Sequence, residues 1–203
     1  MKLIGNYTSP YVRKISVIML EKGITFEFIN ESPWHDESPV PQYNPLGKVP
    51  ALVVKPDEIW YDSALIAEYL DQLDIDPALL PSDRLASLKV RQIEVLADGV
   101  CDAALVIVRQ QMLPPEQQSE SELLRQRNKI QRGLDALEKH AAQREWLNGE
   151  SLTLADIATA CTIGYLNFRR VVPNWCVERP SLIKLAEKMF QRESFARTVP
   201  PSA

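Results

Sequence analysis

The apolar pattern of this chain changes period twice within its first thirty residues, and few folds accommodate that. Lys2–Tyr7 opens as a short strand. Across Pro10–Lys22 the apolar residues Val12, Ile15, Ile18 and Met19 fall on one face of a helix. Thr25–Asn30 then alternates again, Phe26 and Phe28 against Thr25 and Glu27. Pro10 suits a first helical turn, where a missing N–H costs nothing, and Gly23 suits the C-terminal cap. A strand, a helix and a strand in this order predict two parallel strands joined by a crossover. Ala51–Val54 and Glu58–Tyr61 flank Lys55-Pro56-Asp57 as an antiparallel hairpin, and Ser63–Leu73 follows as a helix with Leu65, Ile66, Tyr69 and Leu70 apolar. The order β-α-β, long loop, β-β-α predicts a thioredoxin-like domain.

Beyond that point the pattern is helical. Pro77 and Pro81 bracket Ala78-Leu79-Leu80 and favour extended backbone. Residues 1–76 are therefore expected as one domain, 77–83 as a linker and 84–203 as an all-helical bundle. Its helices are expected at Asp83–Met112 (as one or two), Ser121–Gln143, Thr153–Phe168 and Leu182–Glu193. Thr153 and Asp156 have the spacing of a capping box, with Leu152 and Ile157 placed as a hydrophobic staple. Charge follows the same division: residues 1–80 hold six Lys/Arg against twelve Asp/Glu, and the remainder holds seventeen against fifteen. The net charge of −4 points to neither a nucleic-acid partner nor an anionic membrane surface. No apolar run reaches the roughly 18–20 residues of a membrane span. Cys101, Cys161 and Cys176 are odd in number and widely spaced, which argues against a disulfide framework and for a cytoplasmic location.

Several chemistries fail on inventory. Two histidines and no zinc-spaced cysteine pair exclude a histidine-rich or zinc site, so no metal is expected. Seven scattered glycines form no phosphate-binding or dinucleotide fingerprint, and no Gly-x-Ser-x-Gly elbow occurs. Redox cysteines of a thioredoxin-like domain would stand just before the first helix. Tyr7-Thr8-Ser9-Pro10-Tyr11 occupies that stretch and holds no sulfur, so dithiol exchange is disfavoured. A hydroxyl cluster at a helix N-terminus remains. That end carries about half a positive charge and unpaired N–H groups, which bind anions and stabilise a thiolate. Ser9 is equally an ordinary N-cap, and so is Asp62-Ser63 at the next helix start. Trp34 and His35 lie in the long loop, where an aromatic serves packing as readily as recognition.

Taken together, these segments carry a resemblance. Tyr7-Thr8-Ser9-Pro10-Tyr11-Val12-Arg13-Lys14 looks like the active-site segment of glutathione S-transferases. Asn44-Pro45-Leu46-Gly47-Lys48-Val49-Pro50-Ala51-Leu52 is similar to the family's Asn-Pro-x-Gly-x-Val-Pro-x-Leu loop, and Asp62-Ser63-x-x-Ile66-x-x-Tyr69-Leu70 to its acidic-Ser motif. Leu79-Leu80-Pro81 resembles the interdomain linker and Ser151-Leu152-Thr153-Leu154-Ala155-Asp156 the helix-capping motif. The likeness covers essentially the whole chain in order.

The resemblance implies that glutathione, the co-substrate, lies across the first domain. Val49 would pair its backbone with the cysteinyl part, next to a cis Pro50. Asp62 would take the γ-glutamyl ammonium, and Ser63 its carboxyl group. Trp34 and Lys48 would reach the glycyl end. Ser9 stands where omega-like members carry cysteine, so a mixed disulfide cannot form. It can instead donate a hydrogen bond to the glutathione sulfur, with Tyr7 as the rival donor. Lowering a thiol from a pKa of about 8.5 by about two units asks for about 2.7 kcal/mol. One O–H donor and a helix N-terminus are of that order. The implied reaction is thiolate attack on a small soft electrophile, with isomerisation or dehalogenation sharing the same thiolate. The electrophile pocket is expected near Gln110, Met112 and Tyr165. Arg109 and Arg169 are read as solvated or ion-paired, with preference for an acidic substrate as the alternative. A homodimer is implied. The competing function is a non-catalytic interaction module of the stringent-starvation type.

Overall fold

The computed structural model describes residues 1–201. Four strands, β1 (Lys2–Gly5), β2 (Glu27–Asn30), β3 (Ala51–Lys55) and β4 (Glu58–Tyr61), form one sheet in the order β2-β1-β3-β4. β1 and β2 are parallel across the crossover helix α1 (Pro10–Glu21), as strands joined through a helix must be. β3 and β4 form the antiparallel hairpin, and β3 runs antiparallel to β1. Helix α2 (Ser63–Asp71) packs on α1 and on the hairpin strands. Leu3, Ile4, Ile15, Ile18, Leu52, Ile66 and Leu70 are fully buried, so each element's apolar face closes the same core.

Both leading strands are shorter than their apolar pattern. Asn6 Oδ1 accepts the Thr8 N–H at 3.2 Å and the Thr8 hydroxyl at 3.1 Å, turning the chain off the sheet after Gly5. At β2 the parallel register begins with Lys2 opposite Glu27, which leaves Thr25 and Phe26 ahead of the ladder. Gly23 closes α1 with φ +64°, the left-handed conformation that suits a residue without a side chain.

The chain divides into two compact units, one of residues up to Pro81 together with the segment from Gln191, the other Ser82–Phe190. The second is helical: α3 (Arg84–Gln111) is one continuous helix packed against α4 (Glu120–Ala141) and α5 (Leu154–Arg169), and α6 (Pro180–Phe190) packs on α4 and α5. α5 is its centre, buried without a break from Leu154 to Leu166. The N–H and hydroxyl of Thr153 both donate to Asp156 Oδ2 at 2.8 Å, and the Leu147 N–H donates to Oδ1 at 2.8 Å. Asp156 thus joins the helix start to the preceding turn.

The C-terminal segment departs from the expected 84–203 grouping. A short helix α7 (Glu193–Ala196) packs on α1 of the first unit. Arg192 grips Glu21 through two 2.7 Å hydrogen bonds, and Arg13 donates to the Phe195 carbonyl at 3.2 Å. Charged partners 171 positions apart carry no periodic signal, so sequence pattern leaves this return invisible. The linker is fixed as well. The Lys22 ammonium, with a fully buried side chain, donates to Ile75 O, Pro77 O and Asp71 Oδ1 at 2.8–2.9 Å. Asp71 in turn accepts the N–H groups of Leu79 and Leu80.

Candidate functional site

Strand register decides which loops meet. Ile4 pairs with Ala51, Ala51 with Tyr61, and Gly5 with Asn30. At one end of the sheet, therefore, the chain leaves β1 towards Ser9, enters β3 from Pro50 and leaves β4 towards Asp62. β2 runs out from the same end towards Trp34. Helices α1 and α2 both begin there and carry no acidic side chain in their first turns. The positive ends of two helix dipoles therefore meet here, one capped by the Ser9 hydroxyl and the other by the Asp62 carboxylate.

Ser9 is the N-cap of α1, at φ −79° and ψ 125°, and its Oγ accepts the Val12 N–H at 3.3 Å. Capping engages a lone pair, so the hydroxyl hydrogen can still be donated. Gly5 sets the spacing behind it: a Cβ there would lie 2.4 Å from a Val12 methyl, so only glycine lets the end of β1 approach the first turn of α1 this closely. Tyr7 is directed elsewhere. Its ring, 55% exposed, stacks on Phe28 of the edge strand β2 with centroids 4.7 Å apart. Thr8 is held in the Asn6 turn.

The Val49–Pro50 peptide is cis, and Pro50 is buried at the head of β3. Asn44, for which the sequence motif implies no chemical role, holds this loop together. Buried at the turn, it donates from Nδ2 to Lys48 O at 2.9 Å and accepts the Leu46 N–H at 3.0 Å. The Asn-Pro-x-Gly spelling was the available signal, since a short amide before proline and glycine favours such turns. Lys48 and Trp34 are exposed. Asp62 caps α2, accepting the Ala64 N–H at 2.9 Å, and does so at φ 71°, a region costly for a residue with a side chain. Ser63, the first helical residue, is buried. An exposed acid in a strained conformation beside a helix N-terminus is arranged to meet a cation and an anion at once.

In the second unit the three residues expected around an electrophile stand in different surroundings. Tyr165 is 3% exposed, and burial pushes its phenol above the ordinary value against the pull of Arg169. Met112 is 80% exposed at the C-cap of α3. Gln110 accepts the Ser119 N–H at 2.8 Å. Arg109 is exposed, and the Arg169 guanidinium lies 4.7 Å from the Phe168 ring centroid. Among the described residues no group of His, Cys, Asp and Glu could hold a metal ion, and no helix is long and apolar enough to cross a membrane.

Comparison with known proteins places this geometry. A family model for the glutathione S-transferase N-terminal domain matches residues 8–73, and one for the C-terminal domain matches residues 98–193. The chain belongs to the glutathione S-transferase family. It is 60% identical, over the full length of both chains, to the uncharacterized GST-like protein YibF of Escherichia coli K12. A crystal structure of a glutathione S-transferase from Methylobacillus flagellatus with glutathione bound superposes with a TM-score of 0.94 at 39% identity, covering 98% of this chain and 99% of that one. A second, from Methylobacterium radiotolerans in complex with glutathione sulfonate, gives 0.94 at 37% identity over 100% and 95%. The four-stranded mixed sheet followed by a helical domain is the family's fold.

Proposed function

We propose that this protein is a glutathione transferase that conjugates the thiolate of glutathione to small soft electrophiles, with Ser9 as hydrogen-bond donor to the sulfur. The observation that carries the reading is the convergence of Ser9, Val49–Pro50 and Asp62–Ser63 at the sheet end where two helices begin. In this reading Val49 pairs its backbone with the cysteinyl residue. The Asp62 carboxylate takes the γ-glutamyl ammonium, while Ser63 and the N-terminus of α2 take its carboxylate. Trp34 and Lys48 flank the glycyl end. The glutathione and glutathione sulfonate in the two bacterial relatives support this occupancy.

The sulfur then faces the N-terminus of α1. Its proton leaves to solvent, and the Ser9 O–H and the helix end stabilise the anion. The thiolate attacks an electrophilic carbon, a C–S bond forms, and halide departs or an activated alkene gains a proton. The stacking of Tyr7 on Phe28 favours Ser9 over Tyr7 as donor.

The protein acts as a homodimer in the cytoplasm. Leu85, Leu88 and Val95, each 62–65% exposed, recur on one face of α3 and supply an apolar stripe for a two-fold contact. The three free cysteines suit a reducing compartment.

Turnover of 1-chloro-2,4-dinitrobenzene by Ser9→Ala and Tyr7→Phe tests the donor. Ser9→Ala is expected to lose about ten- to a hundredfold in kcat/KM, since a full two-unit loss of thiol acidity equals about 2.7 kcal/mol. Tyr7→Phe is expected to stay within about threefold, the effect of a group outside the reaction. Abolition by the tyrosine change alone would transfer the role to Tyr7. No retention on immobilised glutathione, and no quenching of Trp34 at millimolar concentration, would make the chain a binding module instead.

A further inference from the structure

Helix α4 segregates its charges. Arg125, Lys129, Arg132 and Lys139 stand at i, i+4, i+7 and i+14, which on an α-helix is a single row. All four are exposed, on the side opposite the buried Leu123, Ile130, Leu134 and Leu137. At 1.5 Å of rise per residue the row is about 21 Å long.

The acids of the same helix are engaged to the side of that row. Asp135 Oδ1 accepts Nε and Nη2 of the buried Arg179 at 3.1 and 2.6 Å. Glu138 accepts the N–H groups of Ser181 and Leu182 at 3.0 and 2.8 Å and so holds the start of α6. Glu122 accepts Gln126 Nε2 at 2.6 Å and reaches Arg125 only at 3.9 Å, while Glu120 stays in the first turn. Lys129, Arg132 and Lys139 form no ion pair with any described residue. Such a row works against the helix that carries it, because like charges three and four positions apart repel. A face that serves solvation alone intersperses its signs. In a chain of net charge −4, four uncompensated bases in line direct a positive field outward.

We infer that the outer face of α4 is a docking surface for an acidic helix of a protein partner. Carboxylates on one face of a helix repeat at the same i, i+4 and i+7 spacing, so two helices packed at a small crossing angle keep the rows in register. Half-buried Ala136 fills the gap between Arg132 and Lys139, and a side chain this small lets the partner's backbone approach. The row holds no aromatic or large apolar side chain, so it offers bases no stacking platform and lipid chains no apolar face. The acidic remainder of the molecule opposes a long phosphate polymer more than it opposes a short acidic segment. The inference is independent of glutathione chemistry.

The test is fluorescence anisotropy of a labelled helical peptide with glutamates at i, i+4, i+7 and i+14, titrated with the full-length protein. The same peptide with glutamines, and a single-stranded oligonucleotide, serve as comparisons. The glutamate peptide is expected to bind at least about tenfold more tightly than the glutamine peptide, the sum of several weak exposed charge pairs, and to weaken as salt rises. Charge reversal of Lys129 and Arg132 to glutamate should lower its affinity about tenfold and let a lysine-substituted peptide bind in its place. Lys129→Glu alone removes two like-charge pairs, so its melting temperature should hold or rise while peptide affinity falls. That opposition separates docking from a structural role. Equal affinity for the glutamate and glutamine peptides would overturn the inference. So would no binding at millimolar concentration, indifference to the charge reversal, or tighter binding of the oligonucleotide. Peptide binding by a protein that fails to bind glutathione would leave this surface standing and remove the transferase reading alone.

Discussion

Asp62 and Asp156 occupy the same kind of position, an acid within the first turn or cap of a helix, and the structure uses them in opposite ways. Asp156 is fully buried and receives three donors from Thr153 and Leu147. The α5 helix around it is the centre of the second unit. Asp62 is exposed, accepts the Ala64 N–H, and sits at φ 71°. Near-equal sequence signals therefore separate into a folding device and a candidate binding group. Burial makes the difference: an acid whose hydrogen bonds are all internal stabilises the fold, and one at the surface in a strained backbone can still meet a ligand.

The largest expected effect breaks the buried member. Asp156→Ala removes the cap and orphans buried N–H groups, so urea denaturation should show a loss of about 3–5 kcal/mol. Glutathione affinity of the remaining folded protein should be unchanged. Asp62→Asn is the converse. Asparagine keeps a cap acceptor and tolerates positive φ, so the melting temperature should barely move. Calorimetric affinity for glutathione should fall about tenfold, the worth of roughly 1.4 kcal/mol of charge-assisted hydrogen bonding. Equal stability losses in both variants would erase the distinction.

The smallest effect is a pair of opposed pH slopes. Hydrogen bonds from Arg192, with help from Ser194, hold the Glu21 carboxyl below the ordinary range despite burial. Burial pushes Asp156 above it, against the donors from Leu147 and Thr153. The contribution of Glu21 is present above the unfolded carboxylate pKa and is lost as pH falls through its lowered folded value. For Asp156 the folded state holds the proton more tightly, so that contribution is full below the unfolded pKa and lost as pH rises through the raised folded value. Urea midpoints between about pH 3 and pH 7 should show the gap between wild type and Glu21→Gln closing on acidification. The gap to Asp156→Asn should move the other way.

Much of the first unit was legible because its signals are local. The change of period marks β1, α1 and β2, Pro10 and Gly23 bracket α1, and Pro56-Asp57 turns the hairpin, with Lys55, expected in the turn, ending β3 instead. The Thr153–Asp156 box is likewise contained in four residues, and it formed as its spacing implied. Strand ends were less legible. Where β1 stops depends on the Asn6 side chain capturing Thr8, and where β2 starts depends on a partner twenty-five positions away. Asn44, Lys22 and the Glu21–Arg192 clasp escaped notice because polar residues satisfied inside a fold look like surface residues in a sequence.

By itself the sequence determined the order of elements, the caps that start the helices and the residue types available for chemistry, with serine rather than cysteine before α1. These follow from interactions spanning a few residues, whose energetics the local spelling controls. Tertiary structure alone decided that Ser9, Pro50 and Asp62 share one sheet end, that Tyr7 turns to Phe28, and that the chain from Gln191 returns to α1. Those outcomes depend on register and on the burial of whole faces, which only the assembled chain can balance.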